Sequence, residues 1–183
     1  MDDSPQLRMV WPAARLDSVP PPTLPAGYTL RTHRPGDEAR FHELMELAGW
    51  PGWDDDRLSY SLNRMLPDGW FMAVHSNSAV IVASAMALHN YKGTFPFWGE
   101  LGWLAADPAH SGHGLGMAVS ACVVRRFVDA GYRHIHLHTE HYRLAAIKTY
   151  LKLGFAPWID GPDGDLHWAP VLDRLGWPAV SQP

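Results

Sequence analysis

Apolar and polar positions along the chain alternate with two different periods, and the changes of period mark the elements. Residues 28–31 alternate as a strand; Arg34-Pro35-Gly36-Asp37 then turns the chain and caps a helix to about residue 48. Phe41, Leu44, Met45 and Ala48 fall on one stripe of that helix. Trp50-Pro51-Gly52-Trp53 reads as a loop, after which Asp54 or Asp55 caps a second helix through residue 65. Acidic side chains suit the positive end of a helix dipole. Strands follow at 70–74 and 79–88, joined by Ser76-Asn77-Ser78 in a hairpin pattern, and a third spans about 97–105. Helical spacing returns over 114–130, where Val119, Val123 and Phe127 form the buried stripe. Gly131 stands where a left-handed C-terminal cap belongs.

Residues 132–139 alternate again, and 144–153 form a short helix stopped by Gly154. Segments 155–159 and 166–168 read as final strands, and 171–175 as a helical turn. This order of elements predicts an α/β fold, a mixed sheet with helices on both faces, without internal repeats. The first 26 residues stand apart. "SVPPPTLPAG" is too proline-rich for a helix or a central strand and predicts an extended arm over 1–26 leading into one domain over 27–183. Trp11 and Leu16 can anchor the arm; a disordered tail is the alternative.

Composition narrows the class. At 183 residues and 20.4 kDa, with 46% hydrophobic residues, the chain can bury a real core and is not a disordered one. A net charge of -4 offers no electrostatic reason to bind nucleic acid. Cys122 is the only cysteine, which excludes an intramolecular disulfide and fits a reducing compartment. Met1-Asp2-Asp3 has neither the basic nor the apolar region of a signal peptide, and no apolar run approaches a membrane span. The expectation is a cytoplasmic protein with neither nucleic acid nor membrane as partner, a homodimer being left open.

Candidate chemistry begins at "HSGHGLGMAV", where Gly112, Gly114 and Gly116 stand between a strand and a helix. Such a junction leaves backbone N–H groups unpaired at a positive dipole end, a ready site for phosphate. A Walker loop is excluded because Met117-Ala118 follows Gly116 in place of Lys-Ser/Thr, and the glycine spacing is not that of a dinucleotide fingerprint. A glycine-rich turn without a ligand is the plain alternative.

Two stretches, "ELGWLAADPAHSGHGLGMAV" and "RLAAIKTYLKLGF", resemble the GNAT superfamily of acyl-CoA-dependent N-acyltransferases. Ser111-Gly112-His113-Gly114-Leu115-Gly116 occupies the family's Gln/Arg-x-x-Gly-x-Gly/Ala loop. Ala146, Tyr150, Gly154 and Phe155 match its Ala-x-x-x-Tyr-x-x-x-Gly-Phe pattern, and "GYTLRTHRPGDEARFHELM" looks like its first strand and helix. The resemblance covers about residues 27–160. It implies a largely antiparallel, twisted sheet of six to seven strands with about four helices, splayed at a slot for acetyl-CoA. Backbone amides from His113 through Gly114, Leu115 and Gly116 to Met117 would cradle the diphosphate. Backbone groups of Leu104, Ala105 and Ala106 would pair with the pantetheine arm like an added strand, and an amide near Ala105 would polarise the thioester. Tyr150 would protonate the departing thiolate, or simply be a core tyrosine; Glu100 is the candidate base, directly or through water, or an ordinary strand-end carboxylate.

Two positions depart from the family pattern. Ser111 and His113 replace residues that usually bring fixed positive charge to the loop, which makes phosphate affinity more dependent on pH. Arg143 stands where many members carry Asn; it would reach a phosphate or a substrate carboxylate, or sit solvated at the helix start. The acceptor side maps to "GWPGWDDDRLSY" and the neighbouring strand. Trp50, Trp53, Asp54 and Tyr60, with His138, would suit a cationic amine, and a packed loop with a capped helix is the plain version. His134, His136 and His138 share one face of a strand and could bind zinc, but no second ligand cluster accompanies them, so no metal is expected. The leading function is N-acetyl transfer from acetyl-CoA to a primary amine, of a small molecule or a peptide, in a direct ternary complex. The alternatives are an acyl-CoA-binding sensor domain and a metal-dependent hydrolase built on the histidine strand.

Overall fold

The computed structural model describes residues 6–159 and 164–178; the start at Met1 to Asp3 lies outside them. Along the described chain run β1 (Leu7–Val10), β2 (Tyr28–Thr32), α1 (Glu38–Leu47), α2 (Asp55–Leu62), β3 (Met65–His75) and β4 (Val80–His89). They are followed by β5 (Gly99–Ala106), α3 (Leu115–Asp129), β6 (Ile135–Thr139), α4 (Leu144–Leu153), β7 (Ala156–Pro157) and α5 (Gly164–Leu175). The strands form one sheet in the order β2-β3-β4-β5-β6-β1-β7. Five of the six neighbouring pairs are antiparallel, and β5–β6 is parallel. This is the mixed, largely antiparallel sheet that the pattern and the resemblance predict.

The sheet is covered on both faces, and β4 shows why its sequence is so apolar. Ala83, Ala85 and Ala87 face the core that holds α3, α4 and α5, whereas Met86 and Leu88 face the one that holds α1 and α2. A strand buried on both sides has no polar positions to spare. Ser84 is the exception, and it accepts a hydrogen bond from the Trp70 indole at 2.7 Å.

Four segments differ from their sequence reading. The second helix ends at Leu62 rather than at 65, and Met65 already begins β3, which starts five residues earlier than expected. The segment 166–168 is not a strand but lies inside α5. Trp168, Val171 and Leu172 are buried while Leu166 is 68% exposed, and helical rotation separates Leu166 from Trp168 where a strand would keep them on one face. Of residues 155–159 only Ala156–Pro157 forms a strand, at the sheet edge, where a proline without an N–H is tolerated. Finally, residues 7–10 within the proline-rich leader form β1, which lies between β6 and β7. Leu7 and Met9 point into the core and Trp11 packs edge-on against Phe155 at 5.3 Å. The prolines that discourage regular structure lie after this strand, at 20–25, so they do not bear on it.

Because Met9 is fully buried in an interior strand, Met9→Ala is expected to lower stability by about 2–5 kcal/mol, as for other large core truncations. Denaturant unfolding measures this; a change within about 0.5 kcal/mol, the level of an exposed position, would mean the leader is not part of the core.

Candidate active site

The site is made by two parallel strands that part. β5 and β6 pair at Gly99 with Ile135 and at Glu100 with His136, and no further. Beyond that point β5 follows β4 to Ala106 and β6 follows β1 to Thr139. The facing edges are left without a ladder, which is the condition under which an extended ligand can add as a strand. Two β5 residues, Trp103 and Leu104, stand opposite Ala85 alone, because Met86 pairs with Gly102 and Ser84 with Ala105. This bulge puts Trp103 at φ +52°, a left-handed conformation that costs a non-glycine residue about 1–2 kcal/mol.

A cavity of about 130 Å³ fills the fork, lined by Glu100, Trp103, Leu104, His138, Arg143 and Tyr150 among others. Glu100 is 6% exposed and lies 3.4 Å from His136 Nε2 and 3.3 Å from His138 Nδ1. Burial alone would raise its pKa; the two imidazoles outweigh burial and hold it at about 2, so it is a carboxylate at any ordinary pH. Tyr150, on α4, is buried, and that burial pushes its hydroxyl pKa well up, the Arg143 charge offsetting only part. It is therefore a protonated phenol. The fork thus holds a fixed anion and a fixed proton donor around one cavity.

The three glycines of the loop serve different ends. Gly112 and Gly114 are left-handed, at φ +79° and +72°, and a side chain at either would meet nothing within 4 Å. Gly114 is the N-cap of α3 and no side chain caps the helix, so the amides of Leu115, Gly116 and Met117 have no partner within it. Gly116 lies inside α3, and a Cβ there would make ordinary contact with Leu104. His113 turns back on its own loop, its Nδ1 2.9 Å from the Ser111 carbonyl oxygen. Beside this helix start is a groove of about 410 Å³, bordered by His113, Gly114, Met117, Lys152 and the prolines at 20, 21 and 25. Sequence reading missed Lys152, although it stands inside the second motif, two residues before Gly154.

The acceptor side is only partly assembled as expected. Trp50 and His138 line the fork cavity, as do Tyr91 and Lys92, which carried no motif in the sequence. Trp53 is core, packed edge-on against Phe41 and Trp103. Asp54 caps α2, accepting from the Arg57 amide at 2.8 Å, and the Tyr60 hydroxyl donates to the Tyr91 carbonyl at 3.0 Å. These three do not border the cavity. Arg143 is neither solvated nor free for a phosphate. It stacks over Trp50 at 3.7 Å, donates to the carbonyls of Ala48 and Gly49 at 3.1 Å each, and pairs with Glu140 at 3.0 Å. It fastens the loop after α1 to the start of α4. The histidine trio also comes apart: His134 is exposed and stacks on Trp98 at 4.9 Å, while His136 and His138 face Glu100.

Known proteins share the family and the fold. Residues 37–155 match the family model described as Acetyltransferase (GNAT) family, and the chain belongs to that family. Among curated relatives, mycothiol acetyltransferase of Actinosynnema mirum is 30% identical over 165 residues, covering 84% of this chain and 53% of the relative. Mycothiol acetyltransferase of Salinispora arenicola is 31% identical over 169 residues, covering 82% and 52%. The chain thus spans about half the length of these relatives. The GCN5-related N-acetyltransferase of Sphaerobacter thermophilus superposes with a TM-score of 0.64 at 24% identity, over 84% of this chain and 50% of that one. The ribosomal-protein-S18-alanine N-acetyltransferase of Escherichia coli gives 0.57 at 22%, over 70% and 77%. At these identities the superpositions show the fold. No described helix is long and apolar enough to cross a membrane.

Arg143→Ala removes two hydrogen bonds, an ion pair and a stacked cation, and is expected to cost about 1–3 kcal/mol in denaturant unfolding. A solvated arginine would show almost no change.

Proposed function

We propose that the protein is an acetyl-CoA-dependent N-acetyltransferase that acts on a primary amine in a direct ternary complex. The observation that carries this reading is the fork cavity, which has the Glu100 carboxylate and the Tyr150 phenol in one lining. Transfer to an amine requires a proton to leave the amine and a proton to reach the thiolate, and these two groups are held in the forms that do so. Acetyl-CoA supplies the activated acyl group. The chain's part is to bind, orient and exchange protons.

The uncapped start of α3 receives the diphosphate on the amides of Leu115, Gly116 and Met117, with room above Gly112 and Gly114 for its oxygens. Lys152, on the same groove, supplies the fixed positive charge that Ser111 and His113 do not. The unpaired edge of β5 at Leu104, Ala105 and Ala106 takes the pantetheine arm, and the bulge frees a backbone amide for the thioester carbonyl. Glu100 accepts the amine proton with His138 beside it, and Tyr150 protonates the thiolate. Trp50, Tyr91 and His138 form the wall that the acceptor meets. The relatives named mycothiol acetyltransferase favour a small-molecule acceptor over a peptide.

A panel of small primary amines, assayed with acetyl-CoA for thiol release, tests the reading directly; no release with any amine, in a chain that binds acetyl-CoA, would favour the sensor alternative. Gly114→Val should abolish acetyl-CoA binding in calorimetry, since it forces a branched side chain onto φ +72° in the cradle. Tyr150→Phe should leave acetyl-CoA affinity nearly intact and lower kcat by about 10²-fold or more. A folded Tyr150→Phe chain with full turnover removes the hydroxyl from the mechanism.

A further inference from the structure

The histidine strand looked short of a ligand in the sequence, and the structure supplies one from the neighbouring strand. His134 leaves the set, and Glu100 of β5 joins His136 and His138 of β6. One ligand atom from each lies within 4.8 Å of the others. The Glu100 oxygens are 3.4 Å from His136 Nε2 and 3.3 Å from His138 Nδ1. Ligands held tetrahedrally at about 2.0–2.2 Å from a zinc ion stand about 3.3–3.5 Å apart. A direct charge-assisted N–H···O bond closes to about 2.7–2.9 Å. Two of the three edges therefore already have the length of a metal site; the one from His138 is at most a long hydrogen bond, and the one from His136 is not a hydrogen bond.

His136 points the same way. Its side chain is 2% exposed, and neither ring nitrogen has a hydrogen-bond partner, though Nε2 faces the carboxylate. A buried imidazole with both nitrogens unmet is costly, and a cation on Nε2 would relieve it. Phe95 and Trp98 meet its ring at 5.4 and 5.5 Å, an apolar wall behind the cluster. On the other side Glu100 and His138 border the fork cavity. A fourth position faces that cavity.

We propose that Glu100, His136 and His138 form a three-ligand site for a divalent first-row transition cation, best suited to Zn²⁺, with its open position toward the fork cavity. Two imidazoles and one carboxylate are a donor set that such ions accept. The cation and the acetyl transfer proposed above compete for Glu100, so occupancy acts as a brake on transfer. That consequence rests on the function proposed above; the binding does not.

The test uses the full chain stripped with a chelator. Calorimetry with Zn²⁺ should give one site tighter than about 10 µM, and Co²⁺ should give the visible absorption of a tetrahedral site, which Zn²⁺ then bleaches. His136→Ala and His138→Ala should each weaken Zn²⁺ at least tenfold, while His134→Ala leaves it unchanged; circular dichroism checks that each is folded. Equal zinc affinity in the wild type and a folded His138→Ala chain would overturn the site, as would the absence of a site tighter than millimolar in the wild type. With an amine substrate in hand, Zn²⁺ should suppress transfer and the chelator restore it. A chain that binds zinc at these residues yet transfers acetyl at an unchanged rate overturns the brake. Zinc binding in a chain that transfers to no amine supports the site and counts against the proposed transferase alone.

Discussion

Two rungs of parallel pairing, Gly99 with Ile135 and Glu100 with His136, hold the halves of the sheet together, and everything at the site depends on their ending there. Gly99 is the residue that allows them. A Cβ at that position would collide with the Phe127 ring, so any side chain would push α3 away from the strand it covers. Glu100 is then the last β5 residue bonded to β6, and it is carried into the fork with its carboxylate between two histidines of the opposite strand. Had pairing continued, β6 would satisfy the edge of β5 and no fork would exist.

The other supports of the fork come from far along the chain. The second edge of β6 is paired by β1, from the leader, over all four β1 residues. That gives the far side of β6 a partner and holds it in the sheet. On the opposite side, α4 is tied to the loop after α1 through Arg143, which sets Trp50 and Tyr150 around the same cavity. The strained Trp103 in the β5 bulge is part of the same arrangement, since it disturbs the β4 ladder at the level of the cavity.

Electrostatically the fork separates two groups that would both be ordinary in water. Partners lower Glu100 to about 2 against the effect of burial, whereas burial dominates at Tyr150 and raises it. The same closeness that lowers Glu100 sets its oxygens 3.3 and 3.4 Å from the ring nitrogens of two imidazoles.

Local pattern determined much of this protein. The helices at 38–47, 115–129 and 144–153, the hairpin of β3 and β4, and the glycine loop were legible because each follows from spacing, caps and turn residues within a short window. What the sequence could not determine is which distant segments meet. Nothing in Leu7–Val10 says that it pairs between β6 and β7, because a four-residue strand carries too little pattern to name its neighbours. Leu166 and Trp168 alternate like a strand until the core chooses the helical face of Trp168, Val171 and Leu172. Arg143 found its carbonyls, Trp53 its core and Glu100 its histidines only through contacts between elements many residues apart. Those contacts are decided by tertiary packing, since hydrogen-bond partners and burial are properties of positions in space.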